Sequence, residues 1–128
     1  MKIGIIQGRL SKPTEGFQEC PKDWKREFAL LPALGLTHVE WIITHKSFYD
    51  NSFFNEDLSK YAISAVCADN LVDDRIADRD FLNENLVPIC EAAIKNKVKN
   101  ITIPLLEESD LTEPRKRAIF CKEMYEIG

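Results

Sequence analysis

Apolar positions along this chain switch repeatedly between two periods. Ile3 to Ile6 form a short run of apolar or small residues, the pattern of a strand covered on both faces, and it runs directly into Gln7, Gly8 and Arg9. A polar stretch from Ser11 to Cys20, with Pro13 and Gly16, reads as a loop. From about Pro21 the apolar residues Trp24, Phe28, Leu31 and Leu34 recur at helical spacing. Asp23 suits the first turn of that helix, and Gly35 suits its left-handed stop.

His38 to Ile43 returns to strand chemistry, β-branched and aromatic, with His38, Glu40 and Ile42 on one face and Val39, Trp41 and Ile43 on the other. A carboxylate inside such a strand needs a partner or a purpose. Thr44 to Asn55 reads as a loop, yet it carries Phe48, Tyr49, Phe53 and Phe54. Rings in a loop imply either a lid over a pocket or packing beneath the rim. A short helix is expected from about Glu56 to Tyr61, and a third strand, AISAVCAD, ends at Asp69. Leu82, Leu86, Ile89, Ala93 and Ile94 then trace a third helix, with Pro88 marking a kink or a restart. KNITIPLLEESD supplies a fourth strand, and Pro114 opens a fourth helix at a position where its missing N–H costs least.

Strand and helix thus alternate four times, which implies parallel strands joined by right-handed crossovers. Four such units are half of the eight that a closed (β/α)₈ barrel requires; an open four-stranded α/β sheet is the competing architecture. Residues 1–128 fit one domain, and 45% hydrophobic with 30% charged residues is an ordinary globular balance. The net charge of −4 argues against a general nucleic-acid surface, and the basic run at Arg115, Lys116 and Arg117 sits among acidic residues as a solvated helix start. Cys20, Cys67, Cys90 and Cys121 show no paired spacing, so reduced thiols in a cytoplasmic protein are expected. No apolar run reaches membrane length, and the short stretch after Lys2 is too brief for a signal-peptide core.

The polar residues at the expected carboxyl ends of the strands are Gln7 and Arg9, Glu40, and Asp69, and α/β proteins place their binding sites there. Arg9 suits a phosphate or sugar oxygen, Gln7 and Asp69 suit substrate hydroxyls, and Glu40 suits orienting a ligand or a neighbour. Structural roles compete at each position. Arg9 can pair with Glu40 or Asp69, Gln7 can cap loop backbone, Glu40 can belong to a buried ion pair, and Asp69 can start a turn. His38 reads as a packed, hydrogen-bonded histidine and His45 as a loop histidine. Neither a Gly-rich phosphate loop nor a nucleophile elbow is present.

KIGIIQGRL, FALLPALGLTHVEWI, SAVCAD and NITIPLLEES, in that order, resemble the N-terminal half of a sugar phosphate isomerase/epimerase of the xylose isomerase-like TIM-barrel superfamily. The segment between Asn51 and Ala65 is short for the second helix of that family. The resemblance implies the first four β/α units of a (β/α)₈ barrel, and an enzyme that moves a proton next to a carbonyl of a small sugar or sugar phosphate. It also implies a divalent metal (Mn, Mg, Co or Zn) in the full-length enzyme, held mainly by residues of strands five to eight. Those metal ligands and catalytic residues are therefore expected beyond Gly128, which leaves Gln7, Arg9, Glu40 and Asp69 as the candidate substrate contacts of this half. On its own the 128-residue chain is expected to be inactive, with no nucleic-acid or membrane partner, and to be capable of forming a homo-oligomer. A non-catalytic fragment or self-associating binding module is the alternative, and an abasic-site endonuclease-like enzyme a weaker one.

Overall fold

A computed structural model describes residues 1–12 and 21–128, so the expected loop across 13–20, with Cys20, lies outside the described residues. In chain order the elements are β1 (Gly4–Ile6), α1 (Trp24–Leu30), β2 (His38–Ile43), α2 (Ser52–Asn55), β3 (Ile63–Ala68), α3 (Arg79–Asn85), α4 (Val87–Lys95), β4 (Ile101–Thr102) and α5 (Pro114–Ile127). The strands form one parallel sheet in the order β1-β2-β3-β4. Each strand therefore neighbours the next in sequence, the arrangement that repeated crossovers of one hand produce.

Alternation along β2 decides where the core lies. Val39, Trp41 and Ile43 are fully buried, as are Val66 and Ala68 on β3. The cluster these strands share also takes in Trp24 of α1, Phe53 of α2, Phe81 and Leu82 of α3, Ile89, Ala92 and Ala93 of α4 and Phe120 of α5. All five helices thus cover one face of the sheet. The other face carries Ile6, His38, Glu40, Ile42, Cys67 and Thr102, none of them buried. Ser64 is an extra residue where β3 meets β2, since Val39 pairs with Ile63 and Glu40 with Ala65. That bulge keeps Val66 and Ala68 on the core side.

Helix ends follow local chemistry. Gly35 stands at φ +68° with Leu36 N–H donating to Leu31 C=O and its own N–H to Pro32 C=O, the expected left-handed stop. Lys97 ends α4 in the same way at φ +59°, where glycine would be the easier residue. Pro88 has no N–H for the carbonyl of Glu84, and the third helix restarts as α4 just after Leu86. α5 starts at Pro114 as expected, and Arg79 of α3 holds it through Glu123 at 2.6 Å and through Glu126.

Three expectations change. The short helix forms at Ser52–Asn55, ahead of Glu56–Tyr61, because the Asn51 side chain accepts the Phe53 N–H at 3.0 Å and caps it. Leu58 N–H is instead taken by Asn96 Oδ1 at 2.9 Å, and Asn96 Nδ2 donates to Phe53 C=O at 2.8 Å. β4 is only two residues long, since Pro104, next in the register toward β3, has no N–H to offer. Leu34 and Ile94, counted on apolar helix faces, are exposed. The aromatic loop divides: Phe53 enters the core, Phe48 and Phe54 pack against it, and Tyr49 is exposed. Packing beneath the sheet end therefore accounts for three of its four rings. No described helix is long and apolar enough to cross a membrane.

Asn51 is the busiest polar group in the core. Its Oδ1 also accepts from Trp41 Nε1 at 2.8 Å, and its Nδ2 donates to Ile42 C=O at 3.3 Å. Asn51→Ala would leave the indole N–H buried without an acceptor and remove a helix cap, so a loss of about 2–4 kcal/mol is expected in urea denaturation. A loss under about 1 kcal/mol would mean that the loop relaxes and water replaces the amide.

Candidate functional site

β1 stops pairing where its sequence turns polar. Gln7 N–H makes the last backbone bond to β2, to Glu40 C=O at 2.9 Å, and then the Gln7 side chain takes over: its Oε1 accepts from Ile42 N–H at 3.3 Å. The next residue, Gly8, has φ +88°, a conformation that favours glycine, and this turns the chain away from the strand. Both Glu27 carboxylate oxygens accept from Gly8 N–H, at 2.9 and 3.0 Å, and Oε1 also accepts from Leu10 N–H at 3.0 Å. Glu27 is 2% exposed, and backbone amides converging on a carboxylate are the normal way to hold a buried negative charge. Arg9 projects between these two anchored amides, half-buried, with Nη1 donating to Gln7 C=O at 3.2 Å.

Glu40 lies on the uncovered face, as alternation predicts, and reaches diagonally across β3 so that its Oε1 accepts from Thr102 Oγ1 at 3.3 Å. Ala65, paired with Glu40, leaves room for that reach. Cys67 lies between the two strands on the same face, and its thiol is pushed up to about 11 by burial first, then by the negative charges of Glu40 and Asp69. Asp69 opens a single 3₁₀ turn, Asp69–Leu71, at the carboxyl end of β3. At the other end of the face a shallow depression of about 170 Å³ is lined by Gly4, Ile5, Ile6, His38, Glu40 and Ser64. His38 lies over Gly4, where a Cβ would come within 2.2 Å of the ring, and its Nδ1 is 2.8 Å from Thr37 Oγ1. It is the packed, hydrogen-bonded histidine expected from its place in the strand.

The four sequence-chosen residues therefore fall into two groups. Glu40 and Asp69 come together around Cys67 and Thr102 on the open face, and Arg9 stands at the exit of β1. Gln7 sits beneath that exit, 1% exposed, with its oxygen on the backbone of β2 and its Nε2 unpartnered. Among the described residues no three His, Cys, Asp or Glu side chains are grouped to hold a metal ion. Sequence reasoning missed Glu27, although its spacing marks it: it stands three residues after Trp24 and four before Leu31, a charge inside the apolar stripe of α1. Thr102 carried no such signal. No family model, curated protein or solved structure matches this chain.

Glu27→Ala would leave two loop amides without their acceptor, and a loss of about 3 kcal/mol in urea denaturation is expected, with the Gly8 and Leu10 amides losing hydrogen-exchange protection first. Unchanged protection at both would show that the loop is held by something else. Removing the negative neighbour in Glu40→Gln should lower the Cys67 pKa below about 11. Alkylation of Cys67, followed by peptide mass spectrometry, should then accelerate at a lower pH than in the parent chain. An unshifted profile would leave burial and Asp69 as the causes.

Proposed function

We propose that this chain is the N-terminal half of a sugar phosphate isomerase/epimerase of the xylose isomerase-like type, its sheet being the first four β/α units of a (β/α)₈ barrel. The observation that carries this reading is the one-sided sheet: four parallel strands in sequential order, every described helix on one face, and Glu40 with Asp69 on the side a barrel would enclose. A doubly wound sheet would place helices on both faces and reverse its strand order part-way. The sequence resemblance to that family supports the substrate class.

In this reading Arg9 binds a phosphate or sugar oxygen at the mouth, held in place by the loop that Glu27 pins to α1. The guanidinium presents a planar set of N–H donors that matches the oxygens of a phosphate. Glu40, with one oxygen already accepting from Thr102, uses its remaining lone pairs on a sugar hydroxyl, and Asp69 does the same from the next strand. Gln7 supports the rim from below, keeping the end of β2 in register where β1 has left it. Because the described residues do not form a metal centre, none of these steps is routed through a metal, and the carboxylates that would shuttle the proton belong to the other half of the barrel.

The 128-residue chain alone should show no turnover of ketoses or their phosphates. A polypeptide in which four further β/α units follow Gly128 should interconvert a sugar or sugar phosphate, and Arg9→Ala in it should raise KM for a phosphorylated substrate about tenfold or more with a smaller change in kcat. Turnover by the 128-residue chain itself, or an Arg9→Ala effect confined to kcat, would overturn the assignment.

A further inference from the structure

We propose that, where four further β/α units do not follow it, the 128-residue chain pairs with a second copy of itself to close one eight-stranded parallel barrel about a two-fold axis, β4 of each copy pairing with β1 of the other and the two uncovered faces turning inward. Parallel sheets are ordinarily covered on both faces, whereas the described residues cover this one on a single face and leave its two edges, β1 and β4, unpaired. The backbone on both edges points outward. Gln7 N–H and Ile3 C=O bond toward β2, which leaves the N–H and C=O of Gly4 and Ile6 directed away from the sheet. Asn100 C=O accepts from Val66 N–H on β3, which leaves those of Ile101 and Ile103 directed away on the opposite edge.

A second copy suits both edges at once. Rotation by a half-turn about an axis running along the strands preserves their direction, so it brings β1 of one copy beside β4 of the other and repeats the same contact on the far side. The ring then closes at eight strands, the number at which a parallel barrel is filled by its own side chains. Ile3 and Ile6 at the β1 edge, and Leu105 and Leu106 just after β4, are 42–49% exposed in the single chain and would be covered. Charge agrees at the carboxyl end, where Arg9 follows β1 and the exposed Glu107 and Glu108 follow β4. The amino ends bring Lys2 near Lys99, and both are exposed, so solvent screens that repulsion. Pairing like edges through a perpendicular axis would leave one edge of each copy and both open faces uncovered.

Sedimentation velocity of the 128-residue chain between about 1 and 100 μM tests this by mass, independently of any turnover. The expected result is a single species of twice the 14.7 kDa chain mass that does not grow with concentration. Ile6→Pro and Ile103→Pro each remove one outward N–H on opposite edges and none used within the chain, so each should weaken the dimer at least tenfold while keeping the helical circular dichroism. Mixing the two variants restores one intact β4 to β1 contact and should give a tighter dimer than either alone. Should the proline variants unfold, Ile6→Lys and Leu106→Lys take their place with the same expected weakening. A monomer throughout, an open-ended series of larger species, or a mixture no tighter than its parts would overturn the proposal. Absence of sugar turnover by the longer polypeptide would overturn the proposed function alone, since this pairing is read by mass.

Discussion

Trp41, Ile43, Val66 and Ala68 turn to the same face of the sheet, and every described helix packs against that face. This one-sided burial fixes the rest of the molecule. It follows from parallel pairing in sequential order: each strand is returned to the same starting end and laid beside the last one on the same edge, so crossovers of one hand put every helix on the same side. A lone sheet of this kind has a single well-packed core, in which Trp24, Trp41 and Tyr61 meet edge to face at 4.8–5.3 Å. Its opposite face is left to whatever completes it.

Where the strands end, side chains replace the ladder. Gln7 and Asn51 satisfy the N–H and C=O of Ile42 after β1 has turned away. Asn96 ties the end of α4 to the chain around Phe53 and Leu58, and Glu27 closes the loop after β1. These four polar side chains are each at most 3% exposed. Buried amides and carboxylates in such positions act as fasteners, because leaving a backbone group unpaired in the interior costs more than burying the partner that satisfies it. The loop that carries Arg9 is consequently among the better anchored parts of the rim, although it lies outside regular structure.

The open face has a different character. Glu40, Cys67, Asp69 and Thr102 form a small polar group in which burial first, and the charges of Glu40 and Asp69 after it, raise the thiol pKa. Such charges suit hydroxyl-bearing ligands and disfavour anions at the centre of the face, whereas Arg9 at the mouth favours them. Under the proposed function, a sugar phosphate would lie with its phosphate outward and its hydroxyls inward along that gradient. The same surface also explains why completion of the sheet matters: hydrogen bonds between a ligand and these side chains strengthen only once water is excluded from above.

Local chemistry was legible in the sequence wherever the deciding interaction spans a few residues. The limits of β2, the stop at Gly35, the start at Pro114 and the restart after Pro88 all depend on backbone dihedrals and hydrogen bonds within one or two turns. The face of Glu40 followed from simple alternation. What only the tertiary structure decided is the choice of partners among polar groups far apart in the chain: Glu27 with an amide 19 residues away, Asn96 with one 38 away, Glu40 with a hydroxyl 62 away. Those distances close because apolar burial draws the elements onto one face, and the resulting positions determine which donor each carboxylate or amide meets. The shift of the short helix from Glu56–Tyr61 to Ser52–Asn55 has the same cause. Its local propensity was weak, and two asparagines, one adjacent and one from the far end of α4, settled where it forms.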